Sequence, residues 1–104
     1  MSASERTKQL FADKIIELSK TKKINSIQVK DLCDACKIDR TTFYYHFRDK
    51  YDLVAWIFSS YYQDEGKRYA INSEEMIEAM GERMYQNRRF FINALEDHTQ
   101  NNLR

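Results

Sequence analysis

The sequence predicts an all-α fold, on three observations. It holds no proline and only two glycines, Gly66 and Gly81, so almost nothing interrupts a helix. Glu, Lys, Arg, Leu, Met and Ala, the better helix formers, run throughout. Val, Ile and Thr are scattered, and no stretch alternates long enough for a convincing strand. The 104 residues suit one compact domain with a modest core.

Several classes are disfavoured at once. The start from Ser2 to Lys8 is polar, and no apolar run approaches membrane-spanning length. Two cysteines, Cys33 and Cys36, cannot staple a secreted scaffold, so a cytoplasmic protein without a membrane partner is expected. The net charge of +1 conceals an asymmetry. Residues 1–50 carry eleven Lys/Arg against seven Asp/Glu, a net of +4, and residues 51–104 carry six against nine, a net of −3. A basic first half fits a polyanionic partner and equally an ordinary solvated surface.

The first helix is expected over residues 5–21, with Leu10, Phe11, Ile15 and Leu18 inward, Ile16 at the stripe's edge, and Lys8 and Ala12 on the solvated side. Lys20, Lys22 and Lys23 follow near its C-terminus, where the helix dipole favours cations as readily as a phosphate would. A second, short helix runs from about Val29 to Cys36, and Val29, Leu32, Cys33 and Cys36 share one face at i, i+3, i+4 and i+7. The Cys33-x-x-Cys36 pair lacks the strand of a redox motif and the further ligands of a zinc site, which leaves core packing. Lys37 and Ile38 then make a tight turn. Lys37 stands where a left-handed residue is needed, and Ile38 plugs the space between helices.

The third helix, about residues 39–47, has a divided surface. Asp39 is a good N-cap, and Phe43, His46 and Phe47 fall on an inward stripe. Arg40, Thr41, Thr42, Tyr44 and Tyr45 point elsewhere, and all can donate to base edges or phosphates. Two short helices joined by about three residues, the second presenting polar side chains, form a helix-turn-helix pattern.

The run Thr42-Phe43-Tyr44-Tyr45-His46-Phe47-Arg48-Asp49-Lys50-Tyr51-Asp52-Leu53, with Val29-Lys30-Asp31-Leu32 upstream, resembles the DNA-binding domain of TetR-family transcriptional regulators. The resemblance spans roughly residues 6–60. It implies a three-helix helix-turn-helix DNA-binding domain, a long linking helix and two further helices, and a homodimer on a palindromic double-stranded operator. It places Arg40, Thr41 and Tyr45 at the floor of the major groove, Tyr44 and His46 near phosphates, and Thr42 at either. Lys30 joins the DNA-contacting set. Gln28 falls where the family often caps the second helix with Thr or Ser. Lys50 matches the family's phosphate-binding lysine, and an ammonium beside open N-terminal amides makes physical sense as an anion site. A closer similarity, to regulators of dihydroxyacetone kinase operons, rests on the runs Tyr51–Phe58 and Asn87–Phe91.

The domain division expected is residues 1–50 for DNA binding and 51–104 for a linking helix and a partial regulatory or dimerisation domain. The linking helix, about Lys50 to Tyr69, carries Leu53, Val54, Ile57 and Tyr61 toward the first helix. Trp56, Phe58, Tyr62 and Tyr69 form a second aromatic face, for a shared core or a ligand pocket. Gly66 is expected to loosen its last turns. Asn72 then reads as the cap, with Glu75 reaching back, of a helix to about Gln86 bearing Met76, Ile77, Met80 and Met84 on one side. Asn87 starts the last helix, with Phe90, Phe91, Ala94 and Leu95 apolar and Arg88 and Arg89 outward, and the polar tail from His98 is expected to fray. TetR regulators usually continue through further helices, so the chain reads as a fragment or as a short form.

Catalysis has no constellation to rest on. His46 and His98 stand far apart in sequence, and there is no glycine-rich phosphate loop or apolar-set pair of carboxylates. No enzyme activity, cofactor or metal is expected. The sequence therefore points to a ligand- or partner-responsive DNA-binding repressor. A small helical interaction module that keeps the fold without binding DNA is the alternative.

Overall fold

The computed structural model describes residues 2–102, with side chains through Asp97. Among these residues six α-helices follow one another: α1 Ala3–Leu18, α2 Val29–Cys36, α3 Arg40–His46, α4 Lys50–Arg68, α5 Glu74–Gln86 and α6 Arg88–Asn102, with a 3₁₀ turn at Ile24–Ser26. No strand occurs among the described residues, so the fold is all-α as the sequence predicts.

One apolar core joins the helices. Phe11, Ala12 and Ile15 of α1 meet Leu32 and Cys33 of α2, Phe43 and Phe47 at α3, and Leu53, Ile57 and Tyr61 of α4. Phe90, Phe91 and Ala94 of α6 belong to the same cluster. Of the second aromatic face of α4, Phe58 joins a core shared with α6, edge-on against Phe91 at 4.8 Å, while Tyr62 is exposed; Tyr61, from the first stripe, also meets Phe91 at 5.6 Å. Trp56 instead packs on Phe47 at 6.1 Å, within the first-half core. A groove of about 340 Å³ remains between α4 and α6, lined in part by Ile24, Val54, Phe58 and Leu95.

Several expectations are corrected. Leu10 is exposed and Ala12 fully buried, so the inward stripe of α1 runs through Phe11, Ala12 and Ile15. Ile77 is 62% exposed and Leu95 57%, so the stripes of α5 and α6 are covered only along one edge. Ser73, not Asn72, caps α5: its hydroxyl accepts from the Met76 amide at 3.2 Å, and Asn72 takes the left-handed conformation at φ 61°. Gly66 does not interrupt α4, which runs on to Arg68. A Cβ there would stand 2.9 Å from Ile71 Cδ1, so the glycine admits the chain returning toward α5. The α6 backbone runs through Asn102, and the side chains from His98 onward lie outside the described residues.

The segment between α1 and α2 contains no proline or glycine, and its shape is imposed by distant side chains. Asn93 of α6 accepts from the Ile24 amide at 2.9 Å and donates to the carbonyls of Ser19 and Lys22 at 3.2 and 2.7 Å. Arg89 donates to the Lys20 carbonyl at 3.0 Å. The second half of the chain thus grips the first.

Candidate nucleic-acid interface

The turn between α2 and α3 comes first, since it sets their relative pose. Lys37 adopts φ 58°, ψ 41°, the left-handed state the sequence called for without the glycine that takes it most cheaply. The Ile38 amide donates to the Cys33 carbonyl at 3.1 Å, closing the α2 C-terminus, and the Ile38 side chain packs on the core. On α2 itself, burial pushes both thiols up, Cys33 further raised by Cys36, so neither favours the thiolate that redox or metal chemistry needs. The pair packs. Among the described residues, no cluster of His, Cys, Asp or Glu could hold a metal ion.

Helix α3 is seven residues long and would not persist alone. Its N-cap is made by Asp39, whose carboxylate accepts from the Thr42 amide at 2.8 Å. That hydrogen bond holds the Asp39 carboxyl below its ordinary range, with burial opposing it slightly. On the inner side Phe43 is fully buried and meets Phe11 edge-on at 5.1 Å, while Phe47 is 3% exposed. With that stripe sealed, the remaining side chains face solvent. Tyr45 is 84% exposed and Tyr44 53%, and Arg40 and Thr41 are exposed beside them. Thr42 and His46 are half-buried, and the imidazole lies against the Tyr45 ring at 5.1 Å. Arg40, Thr41, Tyr44 and Tyr45 therefore share one open surface, while His46 belongs to its rim.

Gln28 and Lys30 are exposed at the start of α2. Gln28 precedes the helix as expected, and its amide donates to the Asp31 carboxylate at 2.9 Å. That backbone amide is thus taken by Asp31, and the Gln28 side chain stays exposed.

Lys50 departs most from the sequence reading. Its ammonium turns away from the α4 N-terminus and donates to the carbonyls of Asn25 at 3.0 Å and Ile27 at 2.7 Å. Burial lowers its pKa, opposed by the carboxylates of Asp97 and Asp31. One of the N-terminal amides expected beside it, that of Asp52, is taken, as is the Arg48 amide just before the helix. Asp49 accepts from the Asp52 amide at 2.9 Å, and Asp52 accepts from the Arg48 amide at 2.9 Å. Two carboxylates at that helix end leave a poor anion site. Lys50 braces the segment before α2.

Asn93 escaped the sequence reading, and Arg89, expected to point outward, instead reaches the Lys20 carbonyl. The one available signal was a lone amide inside the apolar run from Phe90 to Leu95.

A search of curated proteins finds no match to the chain. A family model does match part of the chain: residues 13–57, holding the end of α1, all of α2 and α3 and the start of α4, are similar to the model of bacterial regulatory proteins of the tetR family.

Proposed function

We propose that the chain is a sequence-specific transcriptional repressor that acts as a homodimer on a palindromic operator, with residues 1–50 making the DNA contacts and residues 51–104 the regulatory ones. In this reading α3 enters the major groove. Arg40, Thr41 and Tyr45 meet base edges, Gln28, Lys30, Tyr44 and His46 meet phosphates, and Thr42 stands between the two sets. Arg40 offers a bidentate pair to guanine. The groove between α4 and α6 gives room for a small-molecule effector. The observation that carries the proposal is the open surface of α3, where large hydrogen-bonding side chains stand out from a helix anchored by Phe43 and Phe47.

The test is selection of duplexes from a random-sequence pool, followed by titration at several salt concentrations. Binding by phosphate contacts must weaken steeply as salt rises, because each contact releases counterions. Tyr45→Ala is expected to remove about 1–3 kcal/mol of sequence discrimination while the salt slope stays the same. A folded, demonstrably dimeric chain that enriches no duplex, or binds one without salt dependence, would instead be an interaction module.

A further inference from the structure

We infer that Asn93 is a positioning residue for the DNA-reading unit, although it lies on α6 and belongs to the other half of the chain. The inference rests on the DNA-binding reading above and concerns how the surface of α2 and α3 is held. The segment 19–27 leads from α1 directly into α2. Its buried side chains are Ser19, Ile24 and Ile27. Local turns satisfy part of its backbone, such as the Ser26 and Ile27 amides on the Lys23 and Ile24 carbonyls, and other backbone groups are met from outside.

Asn93 supplies three of those partners at once. Its amide oxygen takes the Ile24 N–H, and its amide nitrogen serves the Ser19 and Lys22 carbonyls. Arg89, one turn earlier on α6, holds the Lys20 carbonyl, and Lys50 of α4 holds those of Asn25 and Ile27. Six backbone groups across the approach to α2 thus answer to side chains of α4 and α6, half of them to Asn93. Since Gln28 and Lys30 follow immediately, and α3 is tied to α2 through the Lys37 turn, a shift of this segment moves the reading surface.

Donor and acceptor are both required of residue 93. Asparagine offers one of each on a side chain short enough to sit against the backbone. Asn93→Asp has nearly the same volume and still accepts from Ile24, but sets a second oxygen against the two carbonyls. A contact that mattered only by filling space would tolerate it.

The experiment compares the full chain with Asn93→Asp and Asn93→Ala, at a temperature where circular dichroism shows each fully helical. Backbone amide exchange is measured residue by residue, together with affinity for a duplex selected by the unmodified chain. In both variants the Ile24 to Gln28 amides should exchange about tenfold faster or more, given the usual worth of the hydrogen bonds lost. Affinity for the selected duplex should fall about tenfold, and affinity for random duplex by less. Unchanged exchange, or unchanged preference for the selected duplex in a folded Asn93→Asp chain, overturns the inference. If the unmodified chain selects no duplex, the DNA-binding reading has failed, and with it any positioning role of Asn93 in that reading. The exchange data then decide only whether the clamp orders the segment.

Discussion

Helices α3 and α5 are capped in the same way and held very differently. Each begins with a side-chain oxygen on the amide three residues on, Asp39 to Thr42 in one and Ser73 to Met76 in the other. Helix α3 has seven residues and α5 thirteen, so intrinsic propensity favours α5. Yet α3 is fixed by Phe43 and the adjoining Phe47, while α5 buries only Met76 among its side chains. Of its other large apolar groups, Ile77, Met84 and Tyr85 are exposed and Met80 is half-buried. Polar contacts hold it as well. Arg83 lies 3.8 Å over the Tyr61 ring and 3.3 Å from the Asp64 carboxylate, and it stands near buried Glu65 at 4.0 Å. Anchors rather than length decide which helix is rigid, and the rigid one presents the exposed tyrosines.

The sharpest way to break that comparison is to remove an anchor from each helix. Phe43→Ala is expected to cost about 3–5 kcal/mol, because a fully buried ring against Phe11 and Phe47 leaves a cavity its neighbours cannot fill. Thermal denaturation followed by circular dichroism reads this directly, and DNA binding should disappear with the fold. Met76→Ala should cost less, about 2–3 kcal/mol, and the loss should be local. Amide exchange would then rise along α5 while Phe43 and its neighbours stay protected. Equal and global losses from the two substitutions would show that α5 is as integral to the core as α3.

Gly66→Ala works in the opposite direction. The glycine sits inside α4, where alanine is worth about 1 kcal/mol more. The atom an added Cβ would meet is the tip of Ile71, an exposed side chain able to turn aside. A net gain of a few tenths to about 1 kcal/mol is expected, appearing as a higher midpoint in urea. A loss would mean that Ile71 cannot yield, and that the close approach into α5 is tighter than its exposure implies.

The same contrast explains what the sequence made legible. The Asp39 cap, the left-handed Lys37 and the Phe43/Phe47 stripe are local matters, decided within four residues by rules that hold in any protein. Periodicity also located every helix. It did not say which edge of a stripe a neighbour would cover, so Leu10, Ile77 and Leu95 turned out exposed and Ala12 buried. The expected cap, Asn72, stood one residue too early. The chain uses the asparagine for the left-handed turn, which serine tolerates less well, and leaves the capping to Ser73. The clamp of Asn93 and the brace of Lys50 connect residues far apart in the chain, and no window of sequence contains them.

The smallest expected effect belongs to the Asp39 cap and is read by pH. Its hydrogen bond from Thr42 lowers the folded-state pKa below the unfolded value near 3.8. The stabilisation is therefore complete above that unfolded value and is lost as pH falls through the lowered folded value. Protonation weakens the acceptor just where the first turn of α3 has no other. Below about pH 4 the Thr42 amide should lose protection before the Phe43 amide does, since Phe43 retains its bond to the Asp39 carbonyl. Asp39→Asn separates the cap from its charge: the amide oxygen still accepts, so α3 persists at neutral pH, but nothing titrates. Residue-resolved exchange of both forms across the acid range makes the comparison. If the Thr42 amide of Asp39→Asn followed the same acid profile as the unmodified chain, the titrating group that frays α3 would have to be sought elsewhere, and the cap would matter only for its geometry.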